Sequence, residues 1–125
     1  MLKNSALIII DMQNDFVLPG SPACVAGALA TIPNITRVLE KFRKEGAAVF
    51  HIVREYRKDG SDIEISRQKS FLNAEAYVVP DTKGCEIVKE LQPIEGEYRI
   101  VKNRFSGFMN TELDFMLRRL GIKNL

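Results

Sequence analysis

Ala6-Leu7-Ile8-Ile9-Ile10 is an unbroken apolar run, rich in β-branched residues, that stops at Asp11. Runs of this kind mark strands covered on both faces, as in parallel sheets. Pro19-Gly20-Ser21-Pro22 is turn chemistry, and from about Thr31 the apolar residues Ile32, Ile35, Val38, Leu39 and Phe42 recur at helical spacing until Gly46 supplies a stop. That spacing predicts a helix with one apolar face. Residues 47–53 read as a second strand. Residues 54–70 are polar, charged and broken by Asp59-Gly60-Ser61, which predicts a long loop of the kind that carries function or a partner surface. Ile87, Val88 and Leu91 predict a short helix over 84–91, ended by Pro93, and residues 98–101 read as a third strand. Thr111 followed by Asp114 resembles a capping box, Leu113, Met116, Leu117 and Leu120 form a stripe closed by Gly121, and Ile122 opens a fourth strand.

Strands that alternate with helices imply an α/β fold with a mainly parallel sheet. Right-handed crossovers place the second and third strands on one side of the first, while the fourth, which would cover the other edge, has barely begun at Leu125. The pattern therefore predicts a single incomplete domain, truncated or nicked, over residues 1–125. Its open apolar edge would seek a second copy of the chain or a companion C-terminal fragment.

Composition narrows the function classes. The chain has 125 residues, 46% hydrophobic and 27% charged, with no repeat or linker, which suits one ordinary domain. Eighteen Lys plus Arg against sixteen Asp plus Glu give a charge of only +2, evenly scattered, so neither nucleic acid nor an anionic membrane is the expected partner. No run approaches the ~20 apolar residues of a membrane span, and Met1-Leu2-Lys3-Asn4 leads directly into the first strand without a cleavable signal, so a cytoplasmic location is expected. Cys24 and Cys85 match neither a disulfide framework nor a zinc pattern and read as buried thiols. His51, the only histidine, lies inside the second apolar strand and reads as a packed core imidazole.

Two residues stand where ligands bind in open α/β sheets, at strand carboxyl ends. Asp11 ends the first strand and Lys102 the third. Alone, Asp11 could simply accept backbone N–H groups and Lys102 could be a solvated charge. Together, they could perturb each other's ionisation. The cluster of Arg54, Arg57 and Lys58 with Asp59, Asp62 and Glu64 reads as a solvated or subunit-contacting surface.

The segments Ala6-Leu7-Ile8-Ile9-Ile10-Asp11-Met12-Gln13-Asn14-Asp15-Phe16, Ile100-Val101-Lys102-Asn103-Arg104-Phe105-Ser106-Gly107-Phe108 and Thr111-Glu112-Leu113 strongly resemble the isochorismatase-like cysteine hydrolases, in the same order and over nearly the whole chain. The resemblance implies a Rossmann-like three-layer αβα fold, hydrolysis of a small amide or ureido substrate, an Asp-Lys-Cys triad, and assembly as dimers or tetramers. It makes Asp11 the general base and Lys102 the cation beside it. The family's nucleophilic cysteine follows the fourth strand, so residues beyond Leu125 would have to supply it and the chain alone is expected to be inactive. The resemblance also brings Phe16 to the substrate pocket, although a core aromatic is the alternative; Glu55 and Tyr56, by their place after the second strand, would face the same crevice or be plain loop residues. Nicotinamidases of this family bind a metal through Asp-x-His after the second strand. Here the stretch is Glu55-Tyr56-Arg57, with a cation in place of the ligand, so neither a metal nor any other cofactor is expected. A non-catalytic binding derivative of the fold is the second reading. A phospho-accepting receiver domain is the third, disfavoured because Lys102-Asn103-Arg104 stands where an acidic cluster would be needed.

Overall fold

The computed structural model of the chain describes residues 2–125. Strand β1 (Ala6–Ile10) is followed by a single helical turn, α1 (Asn14–Val17), and by helix α2 (Ala28–Lys44). Strand β2 (Ala48–Arg54), helix α3 (Ile65–Asn73), two 3₁₀ turns (Lys83–Cys85 and Lys89–Leu91), strand β3 (Tyr98–Lys102) and helix α4 (Leu113–Arg119) complete the order. The three strands form one parallel sheet in the order β1-β2-β3, with Ile10 opposite Ile52 and Arg54 opposite Lys102.

The sheet is the middle of three layers. Ile9, Val49 and Val53 pack against Ile32 and Leu39 of α2 and against Ile87, Val88 and Leu91, while Phe50, Ile52 and Ile100 on the opposite face pack against Leu113 and Leu117 of α4. Strand alternation sends successive side chains of β2 into these two layers, which is why its run is apolar throughout. Each well-buried Phe or Ile contributes roughly 1.5–3 kcal/mol of transfer free energy. A third cluster of Tyr56, Ile63, Phe71, Val78 and Cys85 caps the carboxyl end of the sheet. Gly46 (φ 64°) and Gly121 (φ 69°) turn the chain out of α2 and α4 through the left-handed region, as their positions after the apolar stripes predict.

Several expectations are corrected. Residues 54–70 are not one loop: Arg54 ends β2, and α3 begins at Ile65, anchored by its one buried residue, Phe71. The pattern was too polar to show a helix held by a single aromatic. The helix expected over 84–91 is two 3₁₀ turns, because the backbone between them pairs with the segment after β1 through the Gln13–Ile87 bridge. Helix α2 begins at Ala28, and Val38 of its stripe is 45% exposed, because among the described residues no strand pairs with the β1 edge beside it. Helix α4 has no capping box; Thr111 Oγ1 accepts the Leu113 N–H at 3.3 Å instead. Cys24 is exposed, not buried. At the chain's end a single parallel bridge joins Ser5 to Asn124, on the side of β1 away from β2.

Candidate active site

Parallel strands deliver their last residues to one edge of the sheet, and this brings Asp11 and Lys102 together across 91 positions of sequence. Lys102 Nζ donates to Asp11 Oδ2 at 3.2 Å and to the Phe105 carbonyl at 2.8 Å. The lysine side chain is 1% exposed and the aspartate 28%. Asp11 leaves β1 with φ 56°, in the left-handed region that Asp tolerates better than most residues, while its N–H bonds the Ile52 carbonyl at 2.9 Å. Burial pulls the Lys102 ammonium below the ordinary lysine range; Asp11 opposes that shift and Arg54 adds to it. A carboxylate and a water-poor ammonium in contact can accept a proton and hold an anion beside it.

Arg54 contradicts the expected solvated surface. Its side chain is 5% exposed, with Nη2 3.9 Å from Asp11 Oδ2. Nη1 donates to Tyr56 Oη at 3.1 Å, and Tyr56 Oη donates to Glu64 Oε2 at 3.0 Å. Burial is the main cause pushing the Tyr56 phenol up to about 12, so it is a hydrogen-bonding group only. Gln13 was missed altogether. Fully buried after β1, it accepts the Arg54 N–H at 2.8 Å and donates to the Arg54 carbonyl at 2.7 Å, continuing the β1–β2 ladder with a side-chain amide. The alternation of local sequence carries no signal for such a contact.

The remaining candidates take different positions. Phe16 is half-buried, packed between two core clusters and edge-on to Tyr77 at 6.1 Å. Tyr56 is fully buried under the sheet's end. Glu55 turns to Arg99 at 2.6 Å on the outer side of β3. Arg57 is exposed and its N–H is tied to Asp62 at 2.8 Å. Glu55 and Arg57 line one cavity of about 220 Å³ with Lys102 while Tyr56 turns into the core; with a cation as the third member the stretch does not fit the metal set of the nicotinamidases, and among the described residues no three His, Cys, Asp or Glu groups converge to hold a metal ion. Cys85 Sγ lies 3.6 Å from Gln13 Nε2 and 3.9 Å from the Arg54 carbonyl, and its thiol is pushed up to about 11, chiefly by burial. His51 is buried with Nε2 2.7 Å from Glu97 Oε2, in the core as its place in β2 predicts.

The isochorismatase domain model matches residues 5–125. This chain belongs to the isochorismatase family. An isochorismatase-family protein from Desulfovibrio vulgaris has a solved structure that is 55% identical with a TM-score of 0.91, over 95% of this chain and 63% of that one. A probable inactive nicotinamidase from Arabidopsis thaliana is 38% identical over 98% of this chain and 64% of its own length. A ureidoacrylate amidohydrolase, RutB, from Rhizobium rhizogenes is 31% identical over 98% of this chain and 57% of its own length. The chain thus spans about three fifths of the length of these isochorismatase-family relatives. No helix among its described residues is long and apolar enough to cross a membrane.

Proposed function

We propose that this chain carries the acid–base half of an isochorismatase-family hydrolase that cleaves a C–N bond in a small amide or ureido molecule. The observation that carries the reading is the 3.2 Å contact between Lys102 Nζ and Asp11 Oδ2 at adjoining strand ends. Similarity to a ureidoacrylate amidohydrolase supports the substrate class. In this reading the nucleophilic cysteine comes from residues after Leu125. Cys85 is wrapped by Gln13 and the Arg54 carbonyl with its thiol disfavoured from ionising, and exposed Cys24 follows the turn after α1.

The chemistry then runs as follows. A free thiol ionises near ~8.5 and needs help at neutral pH. Asp11 takes the thiol proton, Lys102 stabilises the thiolate, and sulfur attacks the carbonyl carbon. Asp11 returns the proton to the leaving nitrogen, releasing the amine and leaving a thioester that water hydrolyses with Asp11 again as base. Glu55, which lines a cavity with Lys102, faces the substrate space, Phe16 packs behind it between the core clusters, and Tyr56 supports Arg54. The open β1 edge supports a homo-oligomer or a companion fragment as the assembled form.

Similarity to the probable inactive relative favours one second reading, a non-catalytic binder of the same fold. Ammonia release from a panel of carboxamides and ureido acids tests both, using the 125-residue chain and the longest polypeptide its coding sequence specifies. We expect background rates from the chain alone, and turnover from the longer polypeptide that Asp11→Asn cuts by on the order of 10³-fold or more. Turnover by the chain alone overturns the external thiol. A longer polypeptide that carries the cysteine yet hydrolyses nothing overturns the hydrolase in favour of the binder.

A further inference from the structure

Arg54 is a buried cation placed beside another buried cation, its register partner Lys102. Burying a guanidinium is expensive unless its hydrogen bonds and charge are met. Here they are met indirectly. Nη1 donates to Tyr56 Oη at 3.1 Å and Nη2 to the Arg104 carbonyl at 3.3 Å. The group lies 5.0 Å from the Phe105 ring centre and 5.8 Å from that of Tyr56. Nε is buried without an acceptor among the described residues. Negative charge reaches it from Asp11 at 3.9 Å and, through the Tyr56 hydroxyl, from Glu64. An arrangement chosen for stability alone would give the arginine a direct carboxylate fork. This one instead links the strand-end pair to the loop after β3 and to the segment before α3.

We propose that Arg54 is a positioning residue for the Asp11–Lys102 pair. It sets a second, permanent positive charge 3.9 Å from the Asp11 carboxylate, with Tyr56 and Glu64 bracing the guanidinium from behind. The proposal deepens the hydrolase reading and rests on it for its purpose. When the thiol S–H bond breaks and an O–H bond forms on Asp11, the carboxyl becomes neutral and the sulfur keeps the electron pair. The new thiolate then faces an arginine as well as a lysine. Arginine keeps its charge throughout the ordinary pH range, so the positive field does not hang on Lys102, whose charge burial opposes.

The charged and titratable groups around Lys102 are Asp11 after β1, Arg54 and Tyr56 at and after β2, and Glu64 before α3, with Glu55, Arg57 and Asp62 lining a cavity beside it. Titration of the Lys102 ammonium by NMR in the 125-residue chain therefore reads the proposal without turnover, alongside urea unfolding of each variant. Arg54→Met is expected to raise the Lys102 midpoint by about half a unit or more, because a repelling charge is removed. Arg54→Lys, which keeps the charge without the planar fork, is expected to leave it near the parent value. A folded Arg54→Met protein with an unmoved midpoint, or an Arg54→Lys protein shifted as far as Arg54→Met, overturns the proposal. Should Arg54→Met fail to fold, Glu64→Gln decides: its Lys102 midpoint falls if the braced network is electrically coupled to the pair, and an unchanged midpoint overturns the idea. Absence of hydrolysis on every amide would sink the hydrolase reading and leave this titration result intact.

Discussion

Among the described residues four non-glycines have positive φ, Asp11, Val78, Asp81 and Asn110, and the first two lie at the sheet's carboxyl end. Asp11 sits at φ 56°, and Val78, β-branched and buried, at φ 46°. Such strain persists only where surrounding bonds over-determine it. Val78 is clamped by its N–H to Asp15 Oδ2 at 2.7 Å and by its carbonyl to the Tyr56 N–H at 3.1 Å. The Asp15 carboxylate fills the space that a Cβ on Gly84 would occupy. Gly84→Ala should therefore cost about 1–3 kcal/mol in urea unfolding, by displacing the clamp. Asp11→Asn should cost a similar amount, about 1–3 kcal/mol, because it leaves the buried Lys102 ammonium facing Arg54 without a carboxylate. It should also lower the Lys102 midpoint further, since attraction to Asp11 is what opposes burial there. Adding Lys102→Met to Asp11→Asn should recover most of the lost stability. A double variant as unstable as Asp11→Asn would show that the cost is lost hydrogen bonding and packing and not charge.

At the scale of elements, β2 is tied to its neighbours by a polar cluster at the opposite end from the candidate site. His51 Nε2 lies 2.7 Å from Glu97 Oε2, and Arg43 of α2 grips Glu97 through Nε at 2.6 Å and Nη2 at 3.1 Å. Burial depresses the His51 ionisation below its ordinary 6.5, against the pull of Glu97. Burial would raise the Glu97 carboxyl, but hydrogen bonds from Arg43 and His51 hold it below 4.5. Both groups have depressed folded values, so both contribute stability that is present above the unfolded values and is lost as pH falls through the folded ones. Melting temperature should thus fall from about pH 6.5 downward, with no loss from this cluster on the alkaline side, and His51→Gln should flatten the upper part of that decline. At the carboxyl end of the sheet the third cluster buries one thiol, Cys85. At pH 8 a thiol titrating at about 11 is ionised to roughly one part in 10³, so a thiol reagent should titrate Cys24 alone in the native protein and both cysteines in denaturant.

For the molecule as a whole, the dominant feature is an asymmetric sheet. β2 is buried on both faces, while β1 leaves Ile10 53% exposed beside Val38, over an apolar hollow of about 290 Å³. An apolar strand edge of this kind pairs readily with another chain. The 125-residue chain should therefore elute in light-scattering chromatography above 14.1 kDa at tens of micromolar, and Ile10→Lys should move it toward the monomer. A monomeric parent would show that the edge is already blunted.

Local periodicity and turn chemistry suffice for the three parallel strands, the two glycine exits and most of the apolar stripes of α2 and α4, with Val38 and Leu120 left exposed at their margins. The sequence also placed Asp11 and Lys102 at strand ends, and a parallel sheet collects such ends at one edge whatever the loops do. Tertiary structure alone decided which polar groups are drawn inside. Arg54 and Glu64 looked like part of a charged surface until Tyr56 and Phe71 packed over the sheet's end and closed the space around them. Gln13 finds Arg54 across 41 residues and His51 finds Glu97 across 46. Helix α3 exists because Phe71 meets Tyr56 and Tyr77 edge to face, and Val38 is exposed because, among the described residues, no strand pairs with β1 beyond the bridge at Ser5. Each outcome depends on which distant residue supplies the missing partner, a condition set by the folded arrangement and absent from any local pattern.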